Sequence, residues 1–133
     1  MESITTLTVA RRYADAVSAK DFAAVAGMFA EDIVWHQPGD NAVSGTYRGM
    51  AAVNGMLGAQ MAATQGTFEL RLTGDPMVNG ALAAMPVRFS ARRDGAEMAM
   101  DGVDLLRVEG DKIMEVWLFS ADQHAEDAFW GAG

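Results

Sequence analysis

The hydrophobic period of this chain changes once, after Gly66, and that change limits the folds open to it. Ahead of Gly66 the apolar residues recur at helical spacing. Ile4, Leu7, Val9, Tyr13, Ala16 and Val17 form one stripe behind a capping Ser3, with Arg11, Arg12, Asp15 and Lys20 on the wet side. A second short helix is predicted over DFAAVAGMFA, capped by Asp21, and the β-branched and aromatic run IVWH after it reads as a strand. A third helix, rich in Ala and Met, is expected from about Met50 to Thr64, beyond the glycine-punctuated loop SGTYRG. After Gly66 the segments TFELRLTG, PMVNG, ALAAMPVRFSARR, MAMDGVDLLRV and IMEVWLFS read as strands, linked by turns such as RDGAE and EGDK and therefore antiparallel. The tail DQHAEDAFWGAG is predicted as a final helical turn or two. Helices followed by a meander define an α+β fold, with three N-terminal helices packed on one face of a curved sheet. With 133 residues, half of them apolar, the chain fills one domain.

Composition narrows the chemistry. The absence of cysteine removes disulfides, zinc-thiolate sites and thiol nucleophiles, and two histidines are too few for a histidine-rich metal cage. No metal and no cofactor are expected. A net charge of −8, with no basic cluster longer than a pair, argues against nucleic acid. No apolar run approaches the ~20 residues of a membrane span, and MESITTLTVARRYADAV lacks the basic start of a signal peptide, so the expected compartment is the cytoplasm. MAMDGVDLLRV is apolar on both faces, with Met98, Met100, Leu106 and Val108 on one and Val103 and Leu105 on the other. One helix layer covers one face only, which predicts a homodimer through the sheet.

Strand alternation puts Asp104 on the more apolar side of its strand, with Met98, Met100, Leu106 and Val108. An acid there is either hydrogen-bonded or shifted toward its neutral form. Asp101 falls on the opposite face with Glu97 and Arg107, where a solvated role is expected. His36 ends an apolar run just before the Gln37-Pro38-Gly39 turn, and a histidine in a cleft is suited to proton transfer near neutral pH.

Three stretches, RRYADAVSAKDFAAVAGMFAEDIVWHQPG, SGTYRGMAAV and DGVDLLRVEGDKIMEVWLFSADQ, resemble SnoaL-like and ketosteroid isomerase-like proteins of the nuclear transport factor 2-like superfold over nearly the whole length. The resemblance implies a cone in which helices and a strongly curved, mixed or antiparallel sheet enclose an apolar pocket, usually in a dimer. Its members include ketosteroid isomerases, polyketide cyclases, epoxide hydrolases and dehydratases, so fold alone leaves the reaction open. Tyr13 matches the helix-one tyrosine that donates to an oxyanion in ketosteroid isomerases, and Asp104 matches their protonated second donor. Their carboxylate base sits before the Pro-Gly turn, where this chain has His36, or Gln37 if the register slips by one. The aspartate base of SnoaL-type cyclases is replaced by Leu118. The Arg-x-Asp and final aspartate of limonene epoxide hydrolases are replaced by Arg88-Phe89-Ser90 and Phe119.

The resulting expectation is a cofactor-independent enzyme, an isomerase, cyclase or lyase, acting on a small, mostly apolar carbonyl compound. Its catalytic residues would be His36, Asp104 and Tyr13, with Trp35, Gln37, Tyr47, Met100 and Trp117 around the ligand. Asp104 would either orient the histidine or, if protonated, donate to an enolate. The alternative is a protein of the same shape that binds a small apolar ligand without turning it over.

Overall fold

A computed structural model describes residues 2–132, the side chains of Glu2 and Ser3 excepted. The chain runs α1 (Glu2–Ser18), α2 (Phe22–Met28), β1 (Phe29–Gln37), β2 (Gly45–Arg48), α3 (Met50–Ala63), β3 (Glu69–Leu72), β4 (Met77–Asn79), β5 (Leu82–Arg93), β6 (Ala96–Glu109), β7 (Lys112–Ser120) and α4 (Gln123–Trp130). The backbone at Ser3 is already helical, and the side chain expected to cap α1 lies outside the described residues. Asp21 does cap α2, its carboxylate accepting from the Ala24 amide at 3.2 Å.

The fold is α+β, four helices on one mixed sheet of order β2-β1-β7-β6-β5-β3, with β4 paired to the far end of β5. One detail differs from the sequence expectation. SGTYRG is a loop by composition, yet Gly45–Arg48 pairs with β1 as an edge strand, Trp35 opposite Tyr47. The sheet is mixed, one of the two forms the resemblance implies, because β1 lies parallel to β7, with Trp35 beside Val116 and His36 beside Trp117. Parallel neighbours require a long crossover, and here that crossover is most of the chain.

β5 and β6 form the longest hairpin, turning at Asp94-Gly95, both with positive φ (40° and 78°), the backbone a two-residue hairpin loop demands. β6 and β7 approach so closely at Gly102 that a Cβ there would lie 2.5 Å from the Phe119 carbonyl oxygen. Glycine is what permits that approach in mid-strand. On the covered face Val9, Ala10 and Tyr13 of α1 join Met85, Val87, Leu106 and Val116 in one buried core. No helix among the described residues is long and apolar enough to cross a membrane.

Candidate functional site

Between the helices and the concave face of the sheet lies a cavity of about 420 Å³, in the range of small-molecule sites. Its walls are mainly aliphatic and aromatic, with Val17, Val25, Leu57, Phe68, Phe89 and Leu118 among them. Polar atoms reach it from Tyr13 of α1, Gln37 of β1, Gln60 of α3, Asp104 of β6, Ser120 of β7 and Glu126 of α4. Six elements of the chain therefore converge on one space. No Arg, Lys or His is among the described residues that line it.

Asp104 enters by strand alternation. β6 buries Met98, Met100, Asp104, Leu106 and Val108, so the acid follows its apolar neighbours inward and is only 6% exposed. Among the described residues no donor bonds its carboxyl group. Burial, and then the charge of Glu126, push its pKa up to about 7. Tyr13 is buried beside Phe29, their ring centroids 6.4 Å apart, and its hydroxyl likewise has no protein partner among the described residues. Burial, and secondarily Asp104, raise its pKa well above the usual phenol range, so it is a neutral donor. The Gln60 Nε2 is buried with no acceptor. Three unpaired polar groups around an apolar cavity are costly in an empty protein and useful in a liganded one.

On the same side of the cavity as Asp104, α4 packs against β6 and β7 and supplies Glu126, which is 4% exposed. Ser120 Oγ donates to its Oε1 at 2.6 Å and Gln123 Nε2 at 3.1 Å, while Trp130 Nε1 donates to its Oε2 at 3.3 Å. The helix is fixed at both ends. Asp122 caps it by accepting from the Ala125 amide at 3.0 Å, and Arg93 Nε donates to the Phe129 carbonyl at 2.8 Å while lying over the Phe129 ring. The adjacent Asp127 faces away from the cavity. Its Oδ1 accepts from the Asp40 amide, Asn41 Nδ2 and Gln123 Nε2 at 3.1, 2.8 and 3.0 Å, tying the β1–β2 loop to α4. Those bonds, Asn41's first, hold Asp127 below the usual carboxylate range.

β1 corrects the sequence expectation for the base. Its inward residues are Ile33, Trp35 and Gln37, which puts His36 on the outer face of the sheet. There His36 Nε2 bonds Glu115 Oε2 at 2.7 Å and the ring stacks on Trp117 at 5.4 Å, while Arg107 bonds the other oxygen of Glu115 at 3.4 Å. His36 lines no part of the cavity, so Asp104 cannot orient it. Gln37 takes the inward position, its Oε1 accepting from Trp35 Nε1 at 3.0 Å. Of the other residues expected around the ligand, Trp35 lines the cavity, whereas Tyr47, Met100 and Trp117 do not. Tyr47 spends its hydroxyl on the Val43 carbonyl, Met100 is packed into the core, and Trp117 points outward with His36. Glu126, Gln60 and Ser120 were not expected there. Among the described residues no group of three or more His, Asp or Glu is placed to hold a metal ion.

A cone of this topology with an inward Tyr13 and Asp104 has close relatives. Residues 10–116 match the SnoaL-like domain family, and the chain belongs to that family. An uncharacterized protein of Mycobacterium tuberculosis is 32% identical over 126 residues, 93% of this chain and 95% of its own. A Xanthomonas campestris protein of unknown function with a cystatin-like fold superposes with a TM-score of 0.91 at 45% identity, over 95% of this chain and 98% of that one. A Catenulispora acidiphila protein with a ketosteroid isomerase-like fold, solved in complex with trimethylamine, superposes with a TM-score of 0.71 at 19% identity, over 94% and 93% of the two chains. At that identity the likeness is one of fold.

Proposed function

We propose that this protein is a cofactor-independent enzyme of isomerase or cyclase type that moves a proton on a small, mostly apolar carbonyl compound held in the cavity. The observation that carries the proposal is the pair of buried groups, the Tyr13 hydroxyl and the Asp104 carboxyl, that face the same apolar space with no protein partner among the described residues. A carbonyl oxygen between them accepts two hydrogen bonds, and as negative charge develops on that oxygen the bonds strengthen. Asp104 is a donor only while protonated, which its raised pKa allows up to about neutral pH. His36 has no part in this proposal. The trimethylamine complex of the Catenulispora protein supports a small organic ligand for this fold.

One observation favours the second reading, a non-catalytic binding protein. Where the isomerases carry their base, this chain has Gln37, an amide with no useful basicity and with its oxygen engaged by Trp35. Binding of 4-fluorophenol, whose phenolate imitates an enolate, followed by 19F NMR alongside exchange of ketone α-protons in D2O, separates the two. Binding with exchange supports the enzyme. Binding without exchange supports the carrier. Tyr13→Phe is expected to weaken phenol binding at least tenfold and to lower exchange on the order of a hundredfold, the usual effect of losing one oxyanion donor.

We infer further that the outer face of the sheet pairs two copies. Val103 and Phe119, directly opposite on β6 and β7, are 38% and 55% exposed there.

A further inference from the structure

We propose that Glu126 is the general base of the cavity: its carboxylate takes a proton from the carbon next to the carbonyl of a ligand whose oxygen is held by Tyr13 and Asp104. This rests on the proton-transfer reading above and supplies the group that Gln37 cannot be.

The titratable side chains among the described lining residues are three: Tyr13, Asp104 and Glu126. Tyr13 and Asp104 are the ones left without hydrogen-bond donors, the condition that favours a proton-bearing group. Glu126 is the opposite case, receiving Ser120, Gln123 and Trp130 and donating to none of them. Donors aimed at both oxygens leave the carboxylate's orientation fixed. Oε1 takes two of them, at 2.6 and 3.1 Å, whereas Oε2 takes one, at 3.3 Å, so Oε2 keeps the freer lone pair. Ser120 itself lines the cavity, and Trp130 provides both a donor and a wall. A buried carboxylate so fixed, lining the same cavity as two neutral donors, is the arrangement acid–base catalysis on a carbon acid requires.

The step balances without a co-reactant. The α-carbon–hydrogen bond breaks and the proton goes to Glu126 Oε2. The electron pair becomes the carbon–carbon double bond of the enolate, and the carbonyl π pair moves to the oxygen, where Tyr13 and Asp104 stabilise it. Return of the same proton to the original carbon is exchange. Return to a conjugated carbon further along is isomerisation.

A purely structural role for Glu126, holding α4 against β7, is the competing explanation, so the test needs a readout that packing alone would not move. The probes are cyclohexanone and acetophenone in D2O, their α-proton exchange followed by 1H NMR, with 4-fluorophenol binding as the check that the donor side is intact. Glu126→Gln is expected to slow exchange at least a hundredfold while phenol binding stays within tenfold or tightens, since a neighbouring negative charge is gone. Exchange within threefold of the parent would overturn the assignment of the base and leave the enzyme reading standing. Loss of phenol binding together with exchange would make Glu126 structural and also overturn it. A parent protein that binds phenol but exchanges neither ketone would sink the enzyme reading and this inference with it. Should Glu126→Gln fail to fold, Glu126→Asp decides, because it keeps the charge and withdraws it by one methylene. A tenfold or greater loss of exchange with phenol binding kept supports the base, and unchanged exchange removes it.

Discussion

At Asp104 function and stability pull in opposite directions. The folded-state pKa of about 7 stands above the ordinary aspartate value of 3.8, so between those limits the native protein binds the proton that the unfolded chain releases. Below about pH 4 both states are protonated and the residue costs nothing. As pH rises through the window the cost grows, levelling off above about pH 7. Asp104→Asn, which cannot ionise, is therefore expected to leave stability near that of the parent at pH 4 and to raise it at pH 8 by on the order of 4 kcal/mol. Urea titrations of both proteins at the two pH values check this, and a difference independent of pH would show that the carboxyl is not buried in solution. His36→Ala makes the contrasting case. The ring is bonded and stacked on the outer face, so its loss is expected to leave ketone exchange within threefold, measured in the same assay.

Among the elements, β6 was readable from its pattern and β1 was not. In β6 the alternation of Met98, Met100, Leu106 and Val108 is clean enough to carry Asp104 inward without further information. In β1 the run Ile33-Val34-Trp35-His36-Gln37 is apolar at consecutive positions, so the phase of the alternation is open, and one residue of slip exchanges His36 for Gln37. The tie-breaking contacts, Tyr47 across from Trp35 and Val116 beside it, come from strands far along the chain. Glu126 did leave a signal in its spacing. It stands three and four positions before Phe129 and Trp130, on the apolar stripe of α4, where a lone acid calls for an explanation. The helix also holds the loop after β1 through Asp127, and a Cβ at Gly39 would run into the Asp127 and Gln123 side chains. Asp127→Ala is expected to speed hydrogen exchange at the Asp40 and Ala42 amides, the latter bonded to the Gly131 carbonyl at 2.8 Å, with the β5–β6 hairpin unaffected. Uniform loss of protection across the sheet would mean that the tie matters to the whole fold instead.

For the whole molecule, composition and the single change of hydrophobic period foretold the α+β layout, and the resemblance supplied the cone. Which strand partners β1 in that mixed sheet was not legible, because pairing between the ends of a chain leaves no mark at either end. Val103→Asp places a charge in the Val103–Phe119 patch, at a residue that lines no part of the cavity, and is expected to convert a dimer to monomers in sedimentation velocity while leaving phenol binding intact. A parent protein that sediments as a monomer would remove the proposed interface.

The parallel seam between β1 and β7 also sets an order of events during synthesis. His36 and Glu115 meet across it from 79 positions apart, and before β7 exists β1 has only the four residues of β2 as a strand partner. An emerging chain thus carries β1 as a half-paired strand, one edge of it open, through most of its translation. Closure of the seam must wait for Lys112–Ser120, so until then the nascent chain presents an open strand edge to its neighbours, the feature most exposed to aggregation.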